Sequence, residues 1–140
     1  MPAASKSMTR RQYETLATFR YELRRFLRYS EQITRDHGLT PLQYQLMLQI
    51  RGFPGGRSPT VGELAERLQA KHHGVVSLLT RCERLSLIER RASPADRRSV
   101  HVRLTARGEK ALERLARLHR DELMTRGARF ALPELKALAR

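Results

Sequence analysis

The chain has 140 residues, with 28 Lys and Arg against 14 Asp and Glu, so its formal net charge is +14 at pH 7. This length suits one domain, or one domain with a dimerisation arm. The charge predicts a polyanionic partner, with nucleic acid ahead of an anionic membrane surface, although arginines that are merely solvated would give the same charge. The single cysteine excludes an intramolecular disulfide and a cysteine-built zinc site.

No early apolar run resembles a signal peptide, and no stretch is long and apolar enough to span a bilayer. We therefore expect a cytoplasmic protein with no membrane partner.

The N-terminal part is predicted to be a flexible arm followed by one long helix. Residues 1–8 are small and polar and form the arm, and the helix runs from Thr9 to about Asp36. Its apolar side chains step by three and four, beginning with Leu16, Phe19 and Leu23. This narrow seam is typical of packing against another long helix, in this chain or in a second copy.

The next helix is predicted to begin at Thr40-Pro41, with Thr as the N-cap and Pro at the first helical position. The glycine-rich loop after it lacks the spacing of a phosphate-binding loop. The predicted apolar stripe of this helix consists of Leu42, Leu46 and Ile50, preceded by Leu39 and flanked by Tyr44 and Met47.

The segment from Thr60 to Leu85 is predicted to form two short helices joined by a tight turn at Gln69-Ala70-Lys71. Thr60 and Glu63 have the spacing of a capping box at the start of the first helix. Each helix carries an apolar face at helical spacing, which indicates a helix-turn-helix, although a solvated helical hairpin would explain the two faces equally well. The faces are Val61, Leu64, Ala65 and Leu68 in the first helix, and Val75, Leu78, Leu79, Cys82 and Leu85 in the second.

The outward face of the second helix carries side chains that reach phosphates and base edges in a major groove. They are Lys71, His72, His73, Ser77, Arg81 and Arg84. Adjacent helical residues point about 100° apart, so His72 and His73 are not expected to chelate a metal together. Cys82 lies in the apolar register and is expected in the core rather than in a redox sensor.

Two short strands, Leu87–Arg91 and Ser99–Leu104, are predicted after the helix pair, with a turn between them. A hairpin at this place is the wing of a winged helix. Arg98 at its tip is predicted to enter a minor groove, and Arg97 to contact backbone phosphate. Asp96 is predicted to hold the Arg98 guanidinium by a charge-assisted fork, or else to close the turn.

Thr105 is predicted to cap a long final helix, which Gly127 interrupts before a short last helix from Leu132 to Leu138. The first and last helices carry more apolar seam than a domain of this size buries alone, which predicts a homodimer. The predicted interface residues are Leu16, Phe19, Leu23, Leu115, Leu118 and Leu135.

The predicted organisation is therefore mainly α with a small β-hairpin: a winged helix-turn-helix flanked by dimerisation helices. The predicted segments are an arm at 1–8, an N-terminal dimerisation helix at 9–37, a DNA-binding domain at 38–104 and C-terminal dimerisation helices at 105–140. Within the DNA-binding domain, the helix-turn-helix occupies 60–85 and the wing 88–104.

With these motifs the chain resembles the MarR family of bacterial transcriptional regulators. The segment from Leu39 to Tyr44 is similar to the opening of the family's second helix, and Thr60 to Leu68 to the first helix of its helix-turn-helix. The most specific likeness runs from Asp96-Arg97-Arg98-Ser99 through Val102 to Leu104-Thr105 and Gly108, which matches the wing signature. The departures are Lys71-His72-His73-Gly74, Cys82 in place of Leu, and Ser86 in place of Gly.

The resemblance implies a homodimeric regulator, expected to be a repressor, on a pseudo-palindromic double-stranded operator. It also implies release by a small aromatic or oxidising effector, as in many members. Thr60, Lys71, His72, His73, Ser77, Arg81, Arg97 and Arg98 are the predicted DNA contacts. His37, Tyr44 and Arg51 are close enough in the chain to be predicted to line an effector pocket.

No catalytic constellation or metal-ligand spacing falls on plausible elements, so neither an enzyme nor a cofactor or metal is expected. One alternative function is a basic architectural DNA-binding or RNA-binding protein without sequence preference. Another is a winged helix that binds an acidic protein partner, against which the charge and the arginine-tipped wing argue.

Overall fold

The computed structural model describes residues 6–93, 95–96, 98–126 and 137–139. Within them the chain is mainly helical, with one two-stranded antiparallel hairpin, which confirms the predicted fold class. The helices are α1 (Arg10–Asp36), α2 (Pro41–Arg51), α3 (Val61–Leu68), α4 (His72–Arg84) and α5 (Ala106–Arg126), and the strands are β1 (Ile88–Ala92) and β2 (Val100–Leu104). Short 3₁₀ turns lie at Pro54–Gly56 and Ala137–Ala139.

The chain divides into two compact units, one of Met1–Ser30 with His119–Arg140 and the other of Glu31–Leu118. We call them the terminal unit and the central unit. Their boundaries fall inside α1 and α5, whereas the predicted boundaries, 37/38 and 104/105, fall just after α1 and just before α5. The predicted interruption at Gly127 and most of the predicted last helix lie outside the described residues.

The core of the central unit lies between α2, α3, α4, the hairpin and the first part of α5. Leu46, Leu64, Leu79 and Val102 are completely buried in it. Leu115 also belongs to this core. Its prediction as a dimer-interface residue is therefore wrong for a simple reason: the chain itself already covers the side chain.

The buried face of α2 is rotated from the predicted stripe. Tyr44 and Met47 are buried at its centre, whereas Leu42 is 56% exposed. On a helix of 3.6 residues per turn, Leu42 lies about 100° from the middle of the face that Met47 and Ile50 share. Leu42 was therefore wrongly placed in the core.

The helix-turn-helix forms as predicted, and its start is tightly capped. The Thr60 hydroxyl accepts from the amide of Glu63 at 3.2 Å, and the Glu63 carboxylate accepts from the amide of Thr60 at 3.1 Å. Arg57 donates to the same carboxylate, with Nη1 2.9 Å from Oε1. Hydrogen bonding by Arg57 is the main reason why the pKa of Glu63 is lowered to about 2. Gln69 then turns the chain in the left-handed conformation, with φ +50°.

The end of α4 is joined to the start of α5 by backbone contacts around Ser86. Leu85 follows the last residue of α4 and is 43% exposed, which corrects its predicted burial. Ser86 has φ +60°, a conformation that favours glycine. The Thr105 hydroxyl donates to the Ser86 carbonyl at 2.6 Å and accepts from the Gly108 amide at 3.0 Å.

Gly108 lies where α5 approaches the chain most closely. A Cβ atom at this position would stand 2.0 Å from the carbonyl oxygen of Leu87. No side chain fits at such a distance, so glycine permits the contact that places α5 beside the base of the hairpin.

The hairpin pairs Ile88 with Leu104 and Ala92 with Val100. It is anchored to the segment before α3, because the Val102 amide donates to the Pro59 carbonyl at 2.9 Å. The His101 ring lies 2.9 Å from the Ser58 carbonyl through Nδ1. The wing is thus fixed directly beside the beginning of the helix-turn-helix.

The terminal unit contains the larger part of α1 and the end of α5. His119 is buried there: its Nε2 lies 2.6 Å from the Ser30 hydroxyl, and its ring packs edge-on against Phe26 and Tyr29. Leu16, predicted at a dimer interface, is exposed on α1, and Phe19 and Leu23 are half-buried. Leu118, at the end of the central unit, is also half-buried, and Leu135 lies outside the described residues.

Candidate nucleic-acid interface

The outward face of α4 is a row of hydrogen-bond donors. Its opposite face is fixed in the core by Val75, Leu78, Leu79 and Cys82. Within the part of the chain that the structure describes, no side-chain hydrogen bond or ion pair occupies the donors of the outward face. These exposed side chains are Lys71, His72, His73, Ser77 and Arg81.

A cleft of about 600 Å³ lies between the start of α3, the start of α4 and the wing. It brings three of the predicted contacts together, Thr60, His72 and Arg98. Lys71, His73, Ser77 and Arg81 lie outside this cleft. The helix and the wing thus flank a groove whose rim carries polar and cationic side chains.

Arg90 on β1 also lines this cleft, although it is not among the DNA contacts predicted from the sequence. Its Nε and Nη2 donate to the two carboxylate oxygens of Glu83 at 3.1 Å each, and Nη2 donates to the Thr80 hydroxyl at 3.3 Å. Hydrogen bonding from Arg90 lowers the pKa of Glu83. The guanidinium is thereby held in one orientation between α4 and the wing.

At the wing tip, Asp96 closes the turn and does not hold the Arg98 guanidinium. Its Oδ1 accepts from the backbone amide of Arg98 at 3.0 Å, and its carbonyl accepts from the amide of Ser99 at 3.0 Å. The predicted fork is wrong because the short side chain is already engaged by the adjacent backbone. Arg97 lies outside the described residues.

The three residues predicted to line an effector pocket are not brought together. Tyr44 is in the core, where burial raises the pKa of its hydroxyl. Arg51 pairs with Glu109 at 3.1 Å beside a cleft of about 240 Å³. His37 lines a separate cleft of about 530 Å³ with Lys110, Arg114 and Arg117. The prediction rested on closeness in the chain and is wrong because α2 directs the Tyr44 side chain into the core.

Cys82 is completely buried, and burial raises the pKa of its thiol to about 11. A thiol in this state has little thiolate character and resists oxidation. Among the residues described, no group of three or more His, Cys, Asp or Glu side chains is placed to hold a metal ion. No helix in the described part of the chain is long and apolar enough to cross a membrane.

The sequence matches a protein-family model and several curated proteins, and all of them are regulators of transcription. Residues 37–99 match the model of the MarR family. A helix-turn-helix-type transcriptional regulator of Bacillus cereus is 34% identical over 94 residues, which are 64% of this chain and 60% of the relative. A regulator of Bacillus anthracis matches to the same extent. The chain thus spans about 60% of the length of the curated relatives it matches.

Solved structures share the fold over most of the chain. A MarR family transcription regulator superimposes with a TM-score of 0.73 at 28% identity, covering 89% of this chain and 81% of that one. AbsC of Streptomyces coelicolor gives 0.75 at 20% identity, covering 95% and 89%. A Staphylococcus aureus MepR variant bound to an oligodeoxyribonucleotide gives 0.67 at 22% identity, covering 95% and 92%. The last two likenesses bear on the fold alone.

The family match, the named relatives and the shared architecture agree with the wing signature and the capped helix-turn-helix described above. The relatives named above are transcriptional regulators, in agreement with the expectation that the chain is not an enzyme. The chain thus matches the MarR family of transcriptional regulators over residues 37–99 and shares the fold of a solved MarR family regulator.

Proposed function

We propose that the protein is a sequence-specific repressor that binds double-stranded DNA in the cytoplasm as a homodimer. The observation that carries this proposal is the outward face of α4, where five donor side chains are exposed and unoccupied beside an arginine-bearing wing. DNA presents phosphates and base edges to such donors. The MepR variant with the same fold was solved on an oligodeoxyribonucleotide, which supports DNA as the partner.

In the proposed complex, α4 lies in the major groove and the wing reaches the neighbouring minor groove. Ser77 and Arg81 are one helical turn apart, so they address nearby positions of one half-site. Lys71, His72 and His73 lie at the start of α4, and Thr60 lies at the start of α3 in the same cleft as His72. All four are proposed to contact the backbone and the groove edge. Two copies would then read half-sites about 10 bp apart.

The homodimer is supported by the terminal unit. Tyr13, Leu16, Tyr21 and Leu27 are exposed along α1, and a helix that leaves so much apolar surface open is typical of one that packs against a second chain. A two-fold dimer would place two α4 helices in the symmetric arrangement that an inverted repeat requires.

Release by a small effector is part of the proposal. Burial of the Cys82 thiol argues against an oxidant that acts on this residue. The cleft at His37 is lined by three cationic side chains and by the carboxylate of Glu113, which pairs with Arg117 at 2.7 Å. Its lining therefore keeps a net positive charge and would accept a small anion better than a neutral molecule. A small aromatic effector that carries a negative charge therefore fits better than an oxidising one.

Selection from a randomised duplex pool at about 150 mM salt tests the proposal, because weak phosphate-only binding is suppressed under these conditions. We expect an enriched inverted repeat. Arg81→Ala should weaken binding to it by about 1–3 kcal/mol, and Arg98→Ala should also weaken it. Arg10→Ala removes an equal charge from an exposed site on α1 and should change binding little.

No enrichment, with affinity that simply falls as salt rises, would contradict sequence-specific recognition. It would favour an architectural DNA-binding protein, and stronger binding to RNA than to duplex DNA would favour an RNA-binding one.

A further inference from the structure

Val76 is an apolar side chain of α4 that lies beside the row of exposed donors and remains partly exposed in the cleft between this helix and the wing. It is 36% exposed and lies four residues after His72 and directly before Ser77. The other large apolar side chains of α4 point into the core, as do Val75, Leu78 and Leu79. A β-branched residue also forms helix less readily than most alternatives, so helix propensity does not favour valine here.

The surroundings of Val76 combine an apolar floor with a cationic rim. Val61, Ala92 and Val100 line the same cleft, together with the guanidinium-bearing residues Arg90 and Arg98. The backbone at Val76 is held in place, because the Thr80 hydroxyl donates to its carbonyl at 3.0 Å. The side chain thus offers a small, fixed apolar contact inside a positively charged surface.

The charge around this contact selects the class of partner. Two arginines beside the apolar floor favour a polyanion over an apolar peptide or another copy of this strongly cationic chain. On the major-groove edges of DNA, the apolar group is the 5-methyl of thymine, and the remaining groups donate or accept hydrogen bonds.

We infer that Val76 determines sequence specificity by contacting the methyl group of one thymine in each operator half-site. This inference rests on the proposed function, because it requires α4 to lie in a major groove. It predicts that the selected inverted repeat contains a thymine at a fixed position of both half-sites.

Substitution of deoxyuridine for each thymine of the selected operator tests the inference, since deoxyuridine lacks only the methyl group. The wild-type protein should lose about fourfold in affinity at one position, which corresponds to one buried methyl group. Substitution in both half-sites should cost about fifteenfold. The Val76→Ala variant should bind the thymine operator more weakly than the wild type and should lose almost nothing further at that position.

Leu48→Ala is the matched control, because Leu48 is 39% exposed on α2 and lies outside α4. The affinity that this variant loses on deoxyuridine substitution should equal the affinity that the wild type loses. Circular dichroism should show that Val76→Ala is folded, since a helical and exposed alanine is well tolerated.

The outcomes separate the inference from the proposed function. An enriched operator that lacks a recurrent thymine, or equal deoxyuridine losses in wild type and Val76→Ala at every position, would overturn the inference and leave sequence-specific binding intact. A selection that enriches no duplex would overturn both.

Discussion

The central and terminal units use their apolar side chains in opposite ways. In the central unit, Leu46, Leu64, Leu79 and Val102 are fully buried within one chain. In the terminal unit, four large apolar side chains of α1 remain exposed, whereas Phe19 and Leu23 are half-buried; the exposed ones are Tyr13, Leu16, Tyr21 and Leu27. A folded chain rarely leaves such a helix face uncovered without a partner. The sequence of the central unit thus serves folding, and the exposed face of the terminal unit supports the proposed homodimer.

The largest expected effect is a loss of stability in the central unit, at the close contact between Gly108 and Leu87. Gly108→Ala places a Cβ atom against the Leu87 carbonyl, so we expect a loss of about 3 kcal/mol in the free energy of unfolding. Gly74→Ala is the matched control, because Gly74 is also the third residue of its helix and has open space around it. Urea unfolding measures both, and equal stability of the two variants would contradict the proposed packing.

The second change addresses association through the terminal unit. Leu16→Glu puts a charge on the exposed seam of α1, and we expect the dimer dissociation constant to rise about 30-fold, by about 2 kcal/mol. The fold of each chain should survive because Leu16 is exposed. The control is Leu85→Glu, because Leu85 is equally apolar and exposed and lies at the end of α4. This variant should keep the molecular mass of the dimer. Sedimentation equilibrium distinguishes these results, and an unchanged dimer in Leu16→Glu would argue against the seam.

A third change should stabilise the central unit. Ser86 is held at φ +60°, which costs a residue with a side chain about 1 kcal/mol relative to glycine. Ser86→Gly should therefore raise the free energy of unfolding by about 1 kcal/mol, since the backbone contacts of Ser86 are retained. Thermal and urea unfolding should agree on the direction, and a destabilised variant would show that the serine side chain has a role of its own.

The smallest effect is expected at the start of α3, and it depends on pH. Because the folded-state pKa of Glu63, about 2, lies below its unfolded value, the ionised carboxylate stabilises the protein above the unfolded pKa. That contribution is lost as the pH falls from about 4.3 towards the folded pKa.

Glu63→Gln should accordingly lower the urea midpoint at pH 7 by less than Ser86→Gly raises it, and the difference should shrink as the pH falls. The control Glu14→Gln removes an exposed carboxylate of α1 that pairs with Arg10, and it should have little effect at either pH. A Glu63→Gln difference that does not change with pH would contradict the role of the Arg57 contact.

Local signals in the sequence predicted most of the central unit. The N-cap at Thr40 and the capping box at Thr60 act within four residues, and both agree with prediction. The strand predicted over Ser99–Leu104 forms as β2. Gly108 was recognised through the wing signature, but its steric reason became clear only from the approach of Leu87.

Features that depend on distant packing could not be predicted in the same way. Tyr44 turns inward because α2 packs on α3 and α4, so the effector pocket predicted from sequence proximity did not form. Asp96 bonds to the backbone rather than to a guanidinium because the turn brings the Arg98 amide nearest. Arg90 was missed because Glu83 and Thr80, which hold it, lie on α4 rather than on its own strand. The opposite charges of Glu83 and Arg90 were the one feature of the sequence that could have indicated this ion pair.

The most direct test is the affinity of the wild-type chain for the selected inverted repeat and for a scrambled duplex of the same length and composition, at about 150 mM salt. Fluorescence anisotropy should give a preference of at least about 10³-fold for the repeat, as specific complexes typically show. Equal affinity for the two duplexes would contradict sequence-specific recognition by α4 and the wing.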